Sequence, residues 1–228
     1  MRGRHSYRRS MFTFTPHHTQ RPARLAGGAC IVGASVIVAG AIMTQVVQAS
    51  TDVSDELWRY PWSTGRAVVF SLVSGLAQVL LVVGVLGLAR SGAAGRSRGA
   101  QVGVAAAAAG TALIAVGEFA SIPIRNETIH DGWPQLVGGV FAAGTVLSAI
   151  GFLLVGRATL ATGAWHGWRR FTPLATGVWA VALLGLQFTH ALPTAVGVYG
   201  LCFVAIGVAL STTAPAAAGA PRAQVQRA

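Results

Sequence analysis

A single carboxylate interrupts one of the long apolar runs of this sequence. Residues 114–125 read IAVGEFASIPIR, and Glu118 is the only charged residue in the run from about Gln101 to Ile122. It precedes the end of that run by about four residues, which is roughly 6 Å of helix at 1.5 Å per residue. The cost of a charge in hydrocarbon falls toward the interface, so a carboxylate is tolerated at this depth. Glu118 is the first candidate for a chemical role.

Two interpretations of Glu118 stay open. In the structural one, its carboxyl group is satisfied by Ser121 on the next turn, by Arg125, or by His190 at the outer end of another apolar run. In the functional one, Glu118 and His190 belong to a proton or cation site that opens to the outside. The contacts of Glu118 with the neighbouring helices decide between them.

A polar residue lies deeper in another run. Gln78 falls near the middle of the run from about Ala67 to Ala89, with two serines at helical spacing before it. Hydrogen bonds between helices are a common role of such residues in membranes. The alternative is the lining of a polar cavity. Gln78 therefore joins Glu118 and His190 as the third residue of a candidate ion or proton site.

Motifs of catalysis and cofactor binding are missing from the sequence. There is no HExxH, GxSxG, phosphate-binding loop or dinucleotide-binding fingerprint. A haem held by two histidines needs both imidazoles at matched depth inside apolar runs, and only His190 lies near the end of one. Cys30 and Cys202 have neither a CxxC partner nor a nearby histidine. We expect no catalytic residue, no metal site, no cofactor and no enzymatic activity.

The amino-acid composition argues against a soluble globular protein. Hydrophobic residues make up 53% of the 228 residues and charged residues 10%, against about 25% charged in an average soluble domain. The net charge of +11 would suit nucleic acid, but the arginines are spread between long apolar runs instead of lying on one compact domain. We expect the lipid bilayer, and not nucleic acid, as the partner of this chain.

Six apolar runs are long enough, or nearly so, to cross the hydrocarbon layer, which takes about 20 residues of helix. Backbone polar groups in lipid must be satisfied within their own segment, which leaves helix as the conformation. The runs lie at about Leu25–Gln48, Ala67–Ala89, Gln101–Ile122, Gln135–Gly156, Pro173–Phe188 and Ala195–Ser211. The predicted fold is all-α, a polytopic transmembrane bundle of six helices.

The charges between the runs predict the orientation. Fourteen of the 17 arginines precede the first run, lie in the second or fourth connection, or follow the sixth run. The first and third connections hold Arg59, Arg66 and Arg125 together with all the loop acids. Because arginine-rich loops stay in the cytoplasm, both termini are predicted to be cytoplasmic. Every basic residue is arginine, and Ala and Gly are abundant, as in bacteria with GC-rich genomes. The expected location is the bacterial inner (plasma) membrane, crossed several times.

Aromatic and basic residues flank the runs. Amphipathic rings and arginine side chains are favoured at the membrane interface, so these residues are predicted to anchor the helix ends there. They are Trp58, Trp62, Trp133, Trp165, Trp168, Arg169 and Arg170.

The predicted organisation has one membrane domain, residues 25–212, between two tails. The N-terminal tail, residues 1–24, is basic and is expected to be disordered because it is too short to fold alone. The C-terminal tail, residues 213–228, is likewise expected to be disordered, and both tails are expected to be cytoplasmic. An uncleaved first helix is expected instead of a signal peptide, since its apolar run exceeds the usual stretch of about 7 to 15 residues.

The first two helical hairpins resemble each other loosely. Their connections read ASTDVSDELWRYPW (49–62) and ASIPIRNETIHDGWP (120–134), both with acids followed by Trp and Pro. Small residues also recur on one face of several runs, as at Gly138 and Ala142, and close approach of helices in lipid depends on such residues. A compact bundle of tandem helical hairpins is predicted.

A further pattern occupies residues 156–179, GRATLATGAWHGWRRFTPLATGVW. It consists of Arg-Ala-x-Leu-x-x-Gly, then Trp-Arg-Arg and a Pro-Leu helix start. In this pattern the chain resembles a group of uncharacterised small six-span integral membrane proteins of high-GC bacteria. The resemblance implies the six-span layout and transfers no activity, cofactor or catalytic residue.

Two functions fit these observations. The first is a non-catalytic accessory or membrane-organising component, whose partner is another membrane protein or a second copy of the chain. The alternative is a small transporter or channel for protons, cations or a small solute that uses Glu118. A wet cavity from Glu118 to Gln78 would favour transport, and a dry, packed interior would favour the first function.

Overall fold

The computed structural model describes residues 20–187 and 189–212. The predictions for residues 1–19 and 213–228 lie outside the described residues. Within the described ranges the chain forms six α-helices and no β-strand beyond one isolated bridge, which confirms the predicted all-α class. The helices are α1 (Gln20–Gln48), α2 (Thr64–Arg90), α3 (Arg98–Ala120), α4 (Gly132–Thr162), α5 (Thr172–Leu186) and α6 (Leu192–Ser211). Helix α1 begins at Gln20, five residues before the predicted start of the membrane domain.

Five of these six helices are long and apolar enough to cross a membrane. The exception is α5, which has 15 residues and measures about 22 Å, less than the ~30 Å of the hydrocarbon layer. The residues before it, Gly167–Phe171, form a short 3₁₀ helix. Helix α5 thus begins one residue before the predicted fifth run, about Pro173–Phe188, and is the shortest of the six α-helices in the described residues.

Apolar side chains cover the outer faces of the helices. More than half of the surface of each of several large aliphatic side chains is exposed, as in Val69, Leu76, Val102, Val178 and Leu201. A soluble protein rarely exposes a contiguous apolar surface of this kind, whereas lipid solvates it. The exposed faces and the five long helices together are those of a membrane-embedded protein.

The helices form a closed ring. Each helix packs against the next one in the sequence, and α6 packs against α1 to close the ring. The pairs α3–α4 and α1–α6 are the most extensive. Each helix therefore has one face toward lipid, two faces toward its neighbours and one face toward the interior.

Glycines allow the neighbouring backbones to touch. A Cβ atom placed on Gly33 of α1 would lie 2.6 Å from the Ala77 carbonyl oxygen of α2, and one on Gly207 of α6 would lie 2.9 Å from the Gly27 carbonyl oxygen of α1. In the α3–α4 pair, Gly151 lies directly against the Ala107 backbone. These contacts confirm that small residues bring the helices together, as expected for packing in lipid. Gly138, which the sequence suggested for this role, is not in such a contact, since a Cβ atom there would meet only the Trp58 ring, at 3.9 Å.

We expect Gly151→Ala to destabilise the protein, because its methyl group would overlap the Ala107 backbone, and overpacking of this kind costs about 1–3 kcal/mol. The matched control is Gly139→Ala on the same helix, since no atom lies within 4 Å of the added Cβ. Alanine is favoured over glycine inside a helix, so the control should be neutral or stabilising. Thermal unfolding in detergent, followed by circular dichroism, measures both midpoints. Equal midpoints for the two variants would contradict the close α3–α4 contact.

Candidate functional site in the ring interior

The ring has two chemically different ends. We call one the acidic end, formed by residues 49–63, 121–131, 187 and 189–191 of the connections, because all five loop acids lie there. We call the other the arginine end, formed by connections 91–97 and 163–171, where the chain carries arginines and no acid. Helices α2, α4 and α6 run from the acidic end to the arginine end.

The interior of the ring changes character between these ends. Several polar side chains lie between the acidic end and the middle, and we call them the polar half: Ser74, Gln78, Glu118, Thr145, Ser148 and Tyr199. Thr159, Thr172 and Thr176 are buried toward the arginine end, where each donates to a carbonyl oxygen three or four residues before it. From the middle to the arginine end the buried side chains are mainly apolar, including Leu81, Val85, Leu88, Phe152, Phe203 and Ile206. The sequence suggested single polar residues, and the structure places several of them in the same half of the interior.

Glu118 faces the interior of the ring and not the lipid. It shares one stripe of α3 with Ala107 and Thr111, which are fully buried, because residues at these spacings lie on one helix face. The residues beside it fix α3 on both flanks: the Phe119 ring lies on Gly75 of α2, and the Phe141 ring of α4 lies on Gly117. The Glu118 side chain is half-buried between those contacts.

The predicted partners of Glu118 are occupied elsewhere. The Ser121 hydroxyl donates to the Gly117 carbonyl oxygen at 2.8 Å, and an Arg125 guanidinium nitrogen donates to the Ile122 carbonyl oxygen at 2.7 Å. His190 is exposed in the α5–α6 connection. Within the described residues no hydrogen bond or ion pair reaches the Glu118 carboxyl group, from His190 or from any other residue.

Three other side chains of the interior have unpartnered polar atoms. Gln78 is 5% exposed, and its Oε1 atom has no hydrogen-bond partner within the described part of the chain. The hydroxyl group of Tyr199 points at the Ser148 side chain, yet neither hydroxyl makes a hydrogen bond there. Buried polar groups are nearly always paired, so these three atoms retain unused hydrogen-bonding capacity.

Sequence reasoning missed the Ser148–Tyr199 pair. Tyr199 is the one tyrosine inside an apolar run, and a buried tyrosine hydroxyl normally requires a partner, so this signal was present in the sequence. The buried threonines Thr111 and Thr145, in contrast to this pair, have hydrogen-bond partners. Each donates to a backbone carbonyl oxygen of its own helix, at 2.8 Å. Gln187, just after α5, donates to the Thr145 hydroxyl at 3.3 Å.

Two connections pair with each other over the acidic end. Leu57 and Thr128 form an antiparallel bridge, in which the Trp58 amide donates to Glu127 and the Ile129 amide donates to Glu56. Leu57 and Thr128 each follow the glutamate of the two similar loop sequences, so the bridge joins corresponding positions of the two hairpins. An Arg59 guanidinium nitrogen also donates to the Asn126 side chain, at 2.7 Å. The paired loops form a cap on this end.

The predicted interface anchors divide into two groups. Trp133 and Trp168 are more than half exposed, and Arg169 and Arg170 lie beside Trp168 in the 3₁₀ helix, with the Arg170 guanidinium over the Phe171 ring. Trp62 and Trp165 are buried instead. Trp62 stacks on Phe70 of α2 with ring centroids 5.0 Å apart, and Trp165 belongs to the hydrophobic core. Trp58 is half-buried, with its ring near that of Phe141.

Two grooves open on the protein surface. One, of about 350 Å³, lies between α2 and α3 at the arginine end, and the other, of about 370 Å³, lies beside Trp133 at the acidic end. Neither is lined by Glu118 or Gln78. Among the described residues there is no group of three or more His, Cys, Asp or Glu side chains that could hold a metal ion.

Comparisons with protein-family models, with curated proteins and with solved structures gave no match. The chemistry of the polar half is therefore inferred from its own residues.

We expect Glu118→Gln to leave the stability of the purified protein unchanged or to raise it. The amide has nearly the same size, breaks no hydrogen bond or ion pair within the described residues, and removes a group whose charge is costly inside a membrane protein. Glu127→Gln, in the loop cap, is the control with the same change of charge. A lower unfolding temperature for Glu118→Gln alone would show that the carboxylate has a stabilising partner.

Proposed function

We propose that the chain is a six-span protein of the bacterial inner membrane with both termini in the cytoplasm. The arginine end would face the cytoplasm, because arginine-rich connections are retained there. The sixth crossing would combine α5, about 22 Å long, with the preceding 3₁₀ helix, whose five residues add about 10 Å at 2 Å per residue. This layout is also the one implied by the resemblance to small six-span proteins of high-GC bacteria.

Within that membrane we propose a non-catalytic role, as an accessory or membrane-organising component. The observation that supports it is the packing of the interior: Phe152 of α4 and Phe203 of α6 are fully buried and meet edge to face, with centroids 5.3 Å apart. Such a contact fills the space between α4 and α6, the two helices that pack against α5. The protein would then act through its lipid-facing helices, on another membrane protein or on a second copy of itself, without nucleic acid and without enzymatic chemistry.

The polar half favours a second candidate, the transport of protons, cations or a small solute. Its specific support is the unpartnered carboxyl group of Glu118 together with the unpartnered Oε1 atom of Gln78. In this function the polar half would receive the solute from the acidic side, and the Phe152–Phe203 contact would have to open to release it. The two candidate functions therefore differ in one structural feature. The interior stays packed in the accessory role, whereas it has to open in transport.

Reporter fusions test the topology. Reporters active on only one side of the membrane, fused after Arg98 and after Asp131, should report the cytoplasm and the outside, respectively. Fusions after His166 and after His190 should also report opposite sides, because the segment between them contains the 3₁₀ helix and α5. The same compartment for Arg98 and Asp131 would overturn the six-span topology, and the same compartment for His166 and His190 would remove the fifth crossing.

Proteoliposomes distinguish the two functions. For the accessory role, vesicles with the wild-type protein should pass protons and potassium ions no faster than empty vesicles, and Glu118→Gln should behave identically. A pH-dependent flux in the wild type that is lost in Glu118→Gln but kept in Glu127→Gln would establish transport instead. The stability comparison of the same two variants shows whether a loss of flux reflects misfolding.

A further inference from the structure

The groove between α2 and α3 has an apolar floor and a polar rim. Its volume is about 350 Å³, and its walls include Leu86 and Ala89 of α2 with Ala105 and Ala108 of α3. The alanine run of α3, residues 105–109, leaves this space because its side chains are too short to reach α2. The groove therefore results from the small size of the alanine side chains in this part of α3.

The depth of the groove matches one leaflet of a bilayer. On α3 the groove extends from Ala100 to Ala108, which is about 12 Å along the helix axis. That is less than half of the ~30 Å hydrocarbon layer. The groove therefore begins at the arginine end and stops before the middle of the membrane, as expected for a site that holds part of one acyl chain.

Three exposed arginines lie within two positions, along the sequence, of residues that line the groove at the arginine end. Arg90 follows the lining residue Ala89, and Arg96 follows the lining residue Gly95. Arg98 begins α3, two residues before the lining residue Ala100. The side-chain nitrogen of Gln101, itself a lining residue, donates to the Arg96 carbonyl oxygen at 3.4 Å, which holds the Arg96 backbone at the rim.

The positive charge of these arginines is not neutralised by the protein. Within the described residues none of the three guanidinium groups makes a hydrogen bond or an ion pair, and none of the six acids of the chain lies at the arginine end. Juxtamembrane arginines attract anionic headgroups, and basic pockets between membrane helices bind them. The complement of this surface is a negative headgroup attached to an apolar chain.

We propose that the groove binds one anionic phospholipid, with an acyl chain between α2 and α3 and the phosphate among Arg90, Arg96 and Arg98. The lipid would fill the space left by the alanine run. It would also neutralise the arginine cluster at the interface. This site does not depend on either candidate function, since it uses neither Glu118 nor Gln78.

Lipid binding to the full-length protein tests the proposal. The protein, purified in an uncharged detergent, is titrated with phosphatidylglycerol or with phosphatidylcholine of the same acyl chains, and bound lipid is counted by native mass spectrometry. The wild type should retain one phosphatidylglycerol molecule in preference to phosphatidylcholine. Equal retention of the two lipids would overturn the proposal.

Two pairs of variants locate the site. Ala105→Leu fills the groove and should abolish retention, whereas Ala109→Leu, on the same helix, exposed and outside the groove lining, should retain the lipid. Replacing Arg90, Arg96 and Arg98 together by Gln should weaken phosphatidylglycerol binding about tenfold or more. The control replaces Arg157, Arg169 and Arg170 by Gln, with the same loss of charge at the same end.

The two controls make both results decisive. If both leucine variants lose the lipid equally or keep it equally, the groove is not the site. If both arginine triple variants lose it equally, binding is a general attraction to the charged end and the proposal fails. Because the replaced residues are exposed, apart from the half-buried Arg169, circular dichroism should show the same helix content in all four variants. A variant with less helix is replaced by its single substitutions, Arg96→Gln against Arg169→Gln.

Discussion

Close approach of helix backbones at glycine is the constraint on which this structure depends. In lipid there is no hydrophobic force between helices, so their association relies on van der Waals contact. The ring obtains that contact where Gly110 and Gly144 bring α3 against α4, and where Gly200 and Gly207 bring α6 against α1. Closure of the ring by α1 and α6 then determines which face of every helix is internal. The position of each polar side chain follows from that geometry.

Ring closure determines whether a polar side chain faces lipid or the interior of the protein. A glutamate on the outer face of α3 would meet hydrocarbon, whereas Glu118 is turned inward with Thr111 and Ala107. Gln78 and Tyr199 also face inward. Their polar groups are therefore surrounded by protein atoms and not by lipid hydrocarbon, where a polar group is costly. The polar half is therefore as much a result of helix packing as of composition. Helix packing alone does not explain why some polar atoms of the polar half have no hydrogen-bond partner.

The sequence predicts the helices well and their mutual arrangement poorly. Length and hydropathy locate α1 to α4 and α6, because lipid imposes a minimum apolar length. They do not show which face is internal, since lipid and protein interior are both apolar and the usual amphipathic period is weak. For the same reason the sequence does not show that Trp62 and Trp165, which lie in the connections at the helix ends, are buried against the protein. The loop pairing of Leu57 with Thr128 joins residues 71 positions apart, and no local pattern encodes it.

The third hairpin differs from the other two in a way that matters for the polar half. Its connection, 187–191, carries no acid and no tryptophan, whereas the first two connections pair into a cap. Helix α5 also ends beside Thr145 of α4, to which Gln187 donates. Thr145 lies 13 residues into α4, which is about 20 Å from the start of that helix. Helix α5 consequently ends about 20 Å short of the start of α4, and α4 extends past it on the side where the interior is polar.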